Sequence, residues 1–237
     1  MNRKKRLQPL SIADDVIHLV YPSLCLVCEN ELSRSEEHVC SICQHSLTHT
    51  HFQLFEEPTE MDKLFWGRVQ VKATYAHLFF KKNRASQKIL FNLKYKNNPA
   101  LGEYFGKKMG ECMKQNALFN NIDAIIPVPL HYKKEFLRGY NQSDSIANGI
   151  GQHLNVPVDF SSTKRRKHTT TQTQKSRFQR WDNVNDIFQV KDTLLRYKHV
   201  VLIDDVITTG ATMEALIRIL KEKAPALDVS VVTLAIA

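Results

Sequence analysis

Val200-Val201-Leu202-Ile203-Asp204-Asp205-Val206-Ile207-Thr208-Thr209-Gly210-Ala211-Thr212 is the stretch that decides the fold. Four apolar residues, Val200 to Ile203, read as a buried parallel strand. Two adjacent carboxylates end it, and a Thr-Thr-Gly turn then opens a helical pattern from Ala211 to about Lys223. A strand that feeds a glycine turn and a helix N-terminus builds an anion site. The amides of Thr209, Gly210, Ala211 and Thr212, with the hydroxyls of Thr208, Thr209 and Thr212 beside them, suit a phosphate monoester. Gly210 lets the backbone approach the ligand. Asp204 and Asp205 are acceptor-only groups that can hold paired sugar hydroxyls or lie near a bound Mg²⁺. Phosphate and diol together describe a ribose 5-phosphate.

The order of these residues resembles the phosphoribosyl pyrophosphate (PRPP) motif of type I phosphoribosyltransferases. That motif runs hydrophobic strand, two acids, two apolar residues, Thr-Thr-Gly, one residue, then Thr or Ser, and every position matches here. The resemblance implies that Asp204 and Asp205 are the catalytic pair and that they bind PRPP together with Thr208 to Thr212.

Outward from the motif, apolar strand-like runs alternate with helical patterns, which implies a parallel α/β sheet with sites at the strand C-termini. Strands are expected within Val69–Phe80, at Ala124–Ile126, Val156–Phe160, Phe188–Val190 and Val229–Ile236. Helices are expected at Ser86–Phe91, Leu101–Cys112 and about Asn141–Leu154. Lys94 to Pro99 reads as a basic turn, and Pro127 to Gly139 as a loop emerging at the same sheet edge as Asp204. Arg138 in that loop offers a planar fork of donors for a phosphate. Thr163 to Asn185 is long, polar and without apolar period, the mark of a functional loop. In type I phosphoribosyltransferases a loop at this place closes over the pyrophosphate. By that resemblance Arg165, Arg177 and Arg180 supply charge to the leaving group.

Cysteine usage divides the chain. Cys25-x-x-Cys28 and Cys40-x-x-Cys43 form two knuckles, each presenting two thiolates on one side of a tight turn. Together they complete a tetrahedral four-sulfur site suited to structural Zn²⁺. Such an ion folds about 30 residues that cannot build a core of their own. The spacing therefore predicts an N-terminal helix and zinc module over residues 1–51 and a phosphoribosyltransferase-like domain over 52–237, with an acidic linker at 52–62.

Charge follows the same division. The chain of 237 residues carries a formal net charge of +9, yet residues 21 to 60 hold one basic and seven acidic side chains. The excess sits at residues 61 to 120, with 12 basic against 3 acidic, and at 161 to 180, with 7 basic and no acid. These blocks suit a pyrophosphate, a nucleic acid backbone, or both. No apolar run approaches the ~18 to 20 residues that span a bilayer. Asp14 and Asp15 interrupt the apolar stretch after Arg3-Lys4-Lys5-Arg6, which reads as an amphipathic helix rather than a signal peptide. A cytoplasmic protein without membrane insertion is expected.

The double Cys-x-x-Cys, Leu93-Lys94-Tyr95-Lys96, Pro127-Val-Pro-Leu-His131, Arg138-Gly-Tyr-Asn-Gln142 and the Ile203–Thr212 block resemble, in this order, the ComF family of ComFC-like proteins. So does the loop pattern Arg165, Thr169, Gln172, Arg177, Arg180, Asn183, from which Lys175 departs where many relatives have Leu. The resemblance implies a zinc module on a phosphoribosyltransferase-like domain that uses PRPP with Mg²⁺. It implies association with natural transformation competence, handling of single-stranded DNA, and partners in the competence machinery. Two other readings compete. One is an active phosphoribosyltransferase acting on an unidentified acceptor, as in nucleotide salvage. The other is an adaptor, which has no need of an intact phosphate cradle.

Overall fold

The computed structural model describes residues 21–82, 84–165 and 187–237. They fall into two compact units divided after Ser46. The first holds the four cysteines and one short helix, α1 (Ser41–His45).

The second unit is built on a parallel sheet of β1 (Thr74–Phe79), β2 (Ala124–Pro127), β5 (His199–Ile207) and β6 (Asp228–Ile236), ordered β1-β6-β5-β2. Val158 extends the sheet beyond β2 by a single parallel bridge to Ile125, so the strand expected at Val156–Phe160 is reduced to one pairing. The strands are buried nearly throughout, as expected of a parallel sheet covered on both faces. β3 (Thr163–Arg165) and β4 (Phe188–Val190) form a separate antiparallel pair. Thr163 to Arg165, read as the start of a polar loop, is thus a strand, because Phe188 and Val190 give it a buried apolar partner. The rest of that loop, including Lys175, Arg177 and Arg180, lies outside the described residues.

Helices α2 (Glu60–Lys63), α3 (Ala85–Tyr95), α4 (Pro99–Met113), α5 (Tyr132–Arg138), α6 (Gln142–Leu154) and α7 (Ala211–Lys223) complete this unit. The acidic stretch at 52–62 is not an open linker. Phe52 and Met61 are buried, and Thr59 caps α2 reciprocally with Asp62. Nor is Pro127–Gly139 only a loop: His131 caps α5, and Gly139 ends it in the left-handed region at φ 81°.

α4 and α6 approach almost backbone to backbone. A Cβ at Gly106 would lie 2.3 Å from the Ile146 carbonyl oxygen, and one at Gly149 would lie 2.2 Å from that of Glu103. Gly102, Gly106 and Gly110, spaced four apart, present the flat face of α4 that permits this. The connections β1→β2 and β2→Val158 step one way across the sheet and β5→β6 steps back. With right-handed crossovers, α7 covers the face opposite α4 and α6.

One difference from the sequence reading matters for the site. β5 does not stop at Ile203. Its partner β6 continues beside it, pairing Asp204 with Thr233 and Ile207 with Ile236, so both acids are strand residues. On the other side β2 ends at Pro127, opposite Ile203, and Val128 N–H makes the last bond to the Ile203 carbonyl. Beyond Ile203, β5 is therefore paired on one side only. That half-open end is where a crevice forms in parallel α/β sheets.

Candidate functional site: a strand end, a glycine turn and two acids

The crevice is built from β5 outward. Successive strand residues alternate in direction, and the two acids accordingly find different partners. Asp204 Oδ1 accepts from Ser143 Oγ at 3.1 Å, on the first turn of α6, and from the Asp205 amide at 2.8 Å. Asp205 Oδ1 lies 3.1 Å from Lys94 Nζ, on the last turn of α3. Burial, and then the neighbouring charge of Asp205, push the Asp204 carboxyl up to about 7. Arg165 stands within electrostatic reach of Asp204, its guanidinium 5.4 Å over the Phe188 ring. Burial pulls its pKa downward.

The turn follows at once. Thr208 and Thr209 are exposed, and Gly210 sits in the left-handed region at φ 73° as N-cap of α7. Gly210 offers no side chain to cap that helix, and the Thr209 hydroxyl oxygen accepts from the Ala211 amide at a long 3.5 Å. The first amides of α7 thus meet the crevice as donors aligned with the positive end of the helix dipole. Such a terminus is suited to a phosphate, and the positive φ is one that glycine adopts without strain.

The Arg138–Gln142 stretch braces the crevice. Arg138 donates to Gln142 Oε1 at 2.6 Å and lies 5.7 Å over the Tyr95 ring. Tyr140 donates its hydroxyl proton to the Leu93 carbonyl, fixing the end of α3 that carries Lys94. Asn141 caps α6 and donates to the Val128 carbonyl at 3.1 Å, tying the exit of β2 to the helix that presents Ser143.

Asp204, Asp205, Arg165 and the Thr208–Thr212 turn therefore converge at one end of the sheet, whereas Arg138 is engaged with Gln142 and Tyr95. The sequence reading gave no role to Lys94 or Ser143. Lys94 is visible in the sequence only as part of the Leu93–Lys96 block and of the basic turn expected at Lys94–Pro99; the structure instead puts it in the last turn of α3, and nothing in its own spacing announces an ion pair with Asp205. Ser143 carries no signal beyond its place near a helix start.

In the first unit, the sulfurs of Cys25, Cys28, Cys40 and Cys43 all lie within 4.8 Å of one another. Tetrahedral Zn–S bonds of about 2.3 Å set sulfurs roughly 3.8 Å apart, and Cys28 and Cys40 are 3.7 Å apart. Backbone amides of Val27 and Cys40 approach Cys25 Sγ at 3.5 and 3.3 Å. Burial opposes ionisation of Cys25, but amide donors from Cys28, Cys40 and Val27 outweigh it and bring the thiol to about 6. Burial and the neighbouring thiols push Cys43 up. Four thiolates cannot share so small a volume without a cation, so donor set and geometry fit a zinc ion. Among the described residues no helix is long and apolar enough to cross a membrane.

Residues 141–236 match the phosphoribosyl transferase domain family. Among curated proteins, a segment of 102 residues is 38% identical to Competence protein F of Haemophilus influenzae, covering 42% of this chain and 44% of that protein. Over 219 residues the chain is 25% identical to the DNA utilization protein YhgH of Shigella flexneri, covering 85% of this chain and 92% of the relative. Competence protein ComFC of Bacillus subtilis is 31% identical over 112 residues, 47% of this chain and 43% of that protein. The matches to the two competence proteins thus span less than half of each.

Proposed function

We propose that this chain is a member of the ComF family and that its second unit, whose residues 141–236 match the phosphoribosyl transferase domain family, binds PRPP with Mg²⁺. The observation that carries this reading is the N-terminus of α7, opened by Gly210 without an N-cap side chain and reached by a short turn from two acids on one strand. The 5-phosphate takes the amides and hydroxyls of Thr208 to Thr212. The ribose hydroxyls take Asp204 and Asp205, and Lys94 and Arg165 stand beside those acids to meet the pyrophosphate. Arg138, Arg177 and Arg180 add cationic charge. Mg²⁺ would neutralise pyrophosphate charge; the chain's own contribution is orientation of the ribose phosphate by fixed donors. Zn²⁺ on Cys25, Cys28, Cys40 and Cys43 is structural.

Isothermal calorimetry with Mg²⁺-PRPP tests this directly. Saturable binding that disappears in Asp204→Asn/Asp205→Asn is expected, and equal affinity in the double variant refutes the assignment.

The names of the competence and DNA utilization relatives, with the basic blocks at 61–120 and 161–180, support a role in handling single-stranded DNA in the cytoplasm alongside competence-machinery partners. Binding through several phosphates should weaken with salt, with a log–log slope of about −0.7 per phosphate. A flat salt response removes DNA from the proposal.

One observation favours transfer chemistry as a second reading. A cavity of about 670 Å³, lined by Phe52, Phe55, Phe65, Trp66 and Arg68 among others, lies against the residues beneath the turn. Phe65 would meet a Cβ at Gly210 at 3.5 Å, and Arg68 bonds to Thr209. A planar acceptor stacked on these rings would make the protein an active phosphoribosyltransferase. Release of pyrophosphate from PRPP in the presence of candidate bases tests it.

A further inference from the structure

We infer that Arg68, which lies outside the matched domain, is a positioning residue that aims the phosphate-binding turn; this deepens, and rests on, the ribose-phosphate reading above. Arg68 Nη1 donates to the Thr209 carbonyl oxygen at 2.9 Å and to the Leu64 carbonyl at 3.3 Å. The same nitrogen lies 3.5 Å from Glu214 Oε2. The Thr209 carbonyl and the Gly210 N–H belong to one planar trans peptide and so point in opposite directions. Holding the oxygen toward Arg68 turns the Gly210 N–H away from it, into the crevice where the phosphate is to bind. Gly210 has no Cβ to restrict that peptide, and its left-handed φ belongs to a residue with unusual backbone freedom. A turn of this kind needs an external hold if its donors are to be preorganised, and the guanidinium supplies one.

The charges around it agree. Glu214 lies in the first turn of α7, where its carboxylate would repel an incoming phosphate. Arg68 from one side and Arg218 from the other neutralise it; Arg218 donates to Glu214 Oε1 through Nε at 3.1 Å and Nη2 at 2.8 Å. The backbone that carries Arg68 is itself fixed. The amide of Arg68 bonds to the Phe65 carbonyl at 3.0 Å, and Phe65, fully buried, lies under Gly210. The short stretch after α2 therefore forms the floor of the turn, and only Arg68 reaches from that floor to the carbonyl whose direction matters.

The test uses the full zinc-loaded chain, ¹⁵N-labelled at glycine. Inorganic phosphate, ribose 5-phosphate and Mg²⁺-PRPP are titrated while the Gly210 amide resonance is followed. The wild type should show a downfield shift of that amide with each ligand. Arg68→Ala should weaken all three by about tenfold or more, the scale of one charge-assisted hydrogen bond, and reduce the Gly210 shift. Millimolar guanidinium should restore both, a rescue that general destabilisation would not show. Equal affinity in Arg68→Ala with an unchanged Gly210 shift overturns the assignment while leaving the ribose-phosphate site standing. If Arg68→Ala does not fold, Arg68→Met, which keeps a long stem but offers the Thr209 carbonyl neither donor nor charge, carries the comparison, and wild-type affinity there overturns it equally. Failure of the wild type to bind any of the three ligands refutes the ribose-phosphate reading, and the assignment of Arg68 falls with it.

Discussion

Replacing Asp204 by Asn should stabilise the protein above neutral pH while weakening its ligand site. The Asp204 carboxyl is raised from an ordinary 3.8 to about 7, by burial first and by Asp205 second. Its folded state therefore holds a proton that the unfolded chain gives up near pH 4. The stability associated with that proton is complete below about pH 4, declines as pH rises, and is gone once pH passes about 7. The whole interval corresponds to roughly 4 kcal/mol at about 1.4 kcal/mol per pH unit, a ceiling that the side chain's partial exposure lowers. Between pH 5 and pH 8 the change is about 2 kcal/mol. An Asn at 204 keeps an acceptor oxygen for the Ser143 hydroxyl and the Asp205 amide and carries no charge at any pH. Urea unfolding of wild type and variant at both pH values isolates Asp204 together with its charge interaction with Asp205, because titrations elsewhere cancel in the difference. The variant's advantage should grow by about 2 kcal/mol from pH 5 to pH 8. An advantage that stays constant or shrinks refutes the placement of Asp204 as a partly desolvated carboxylate beside Asp205. Asp205→Asn is the internal control and should act with the opposite sign, since it leaves the half-buried ammonium of Lys94 without its 3.1 Å partner.

Further outcomes can be checked alongside. Cys25→Ser should release zinc and loosen residues 21–46 without unfolding the sheet unit, followed by metal content and by amide exchange in each unit. Asp159→Asn should destabilise by roughly 2 kcal/mol at pH 7 and by little at pH 2. Burial disfavours this carboxylate, but the amides and hydroxyls of Ser161 and Ser162 prevail and hold it at about 2, so its contribution is present above pH 4 and lost as pH falls through 2. Gly106→Ala should abolish cooperative unfolding of the native fold or lower its Tm by many degrees, because the added methyl meets the Ile146 carbonyl, the Gly149 Cα and the Ile150 nitrogen within 3.0 Å. Thermal denaturation followed by circular dichroism suffices for that comparison.

The parts of this molecule that were legible in the sequence are those whose signal is local. An apolar run that ends in acids and a glycine turn declares strand, crevice and helix in thirteen consecutive residues, and two Cys-x-x-Cys pairs declare a metal cage by spacing alone. What stayed hidden depends on residues far apart in the chain. The acids were read as ending the strand because hydrophobicity stops at Ile203. Backbone pairing is indifferent to side-chain polarity, however, and β6 carries β5 on to Ile207. The roles of Lys94 and Ser143 exist only because α3 and α6 are both brought to that strand end. The glycines of α4 are what lets α6 come close enough to place Ser143 beside Asp204. The half-open end of β5 joins the two kinds of information. A strand paired on both sides would bury Asp204 without access, and one paired on neither would leave it solvated with an ordinary acidity. Ending β2 at Pro127 while β6 continues to Ile236 holds both acids on a fixed strand, Asp204 partly exposed and Asp205 buried against Lys94, the arrangement on which the proposed ribose phosphate site depends.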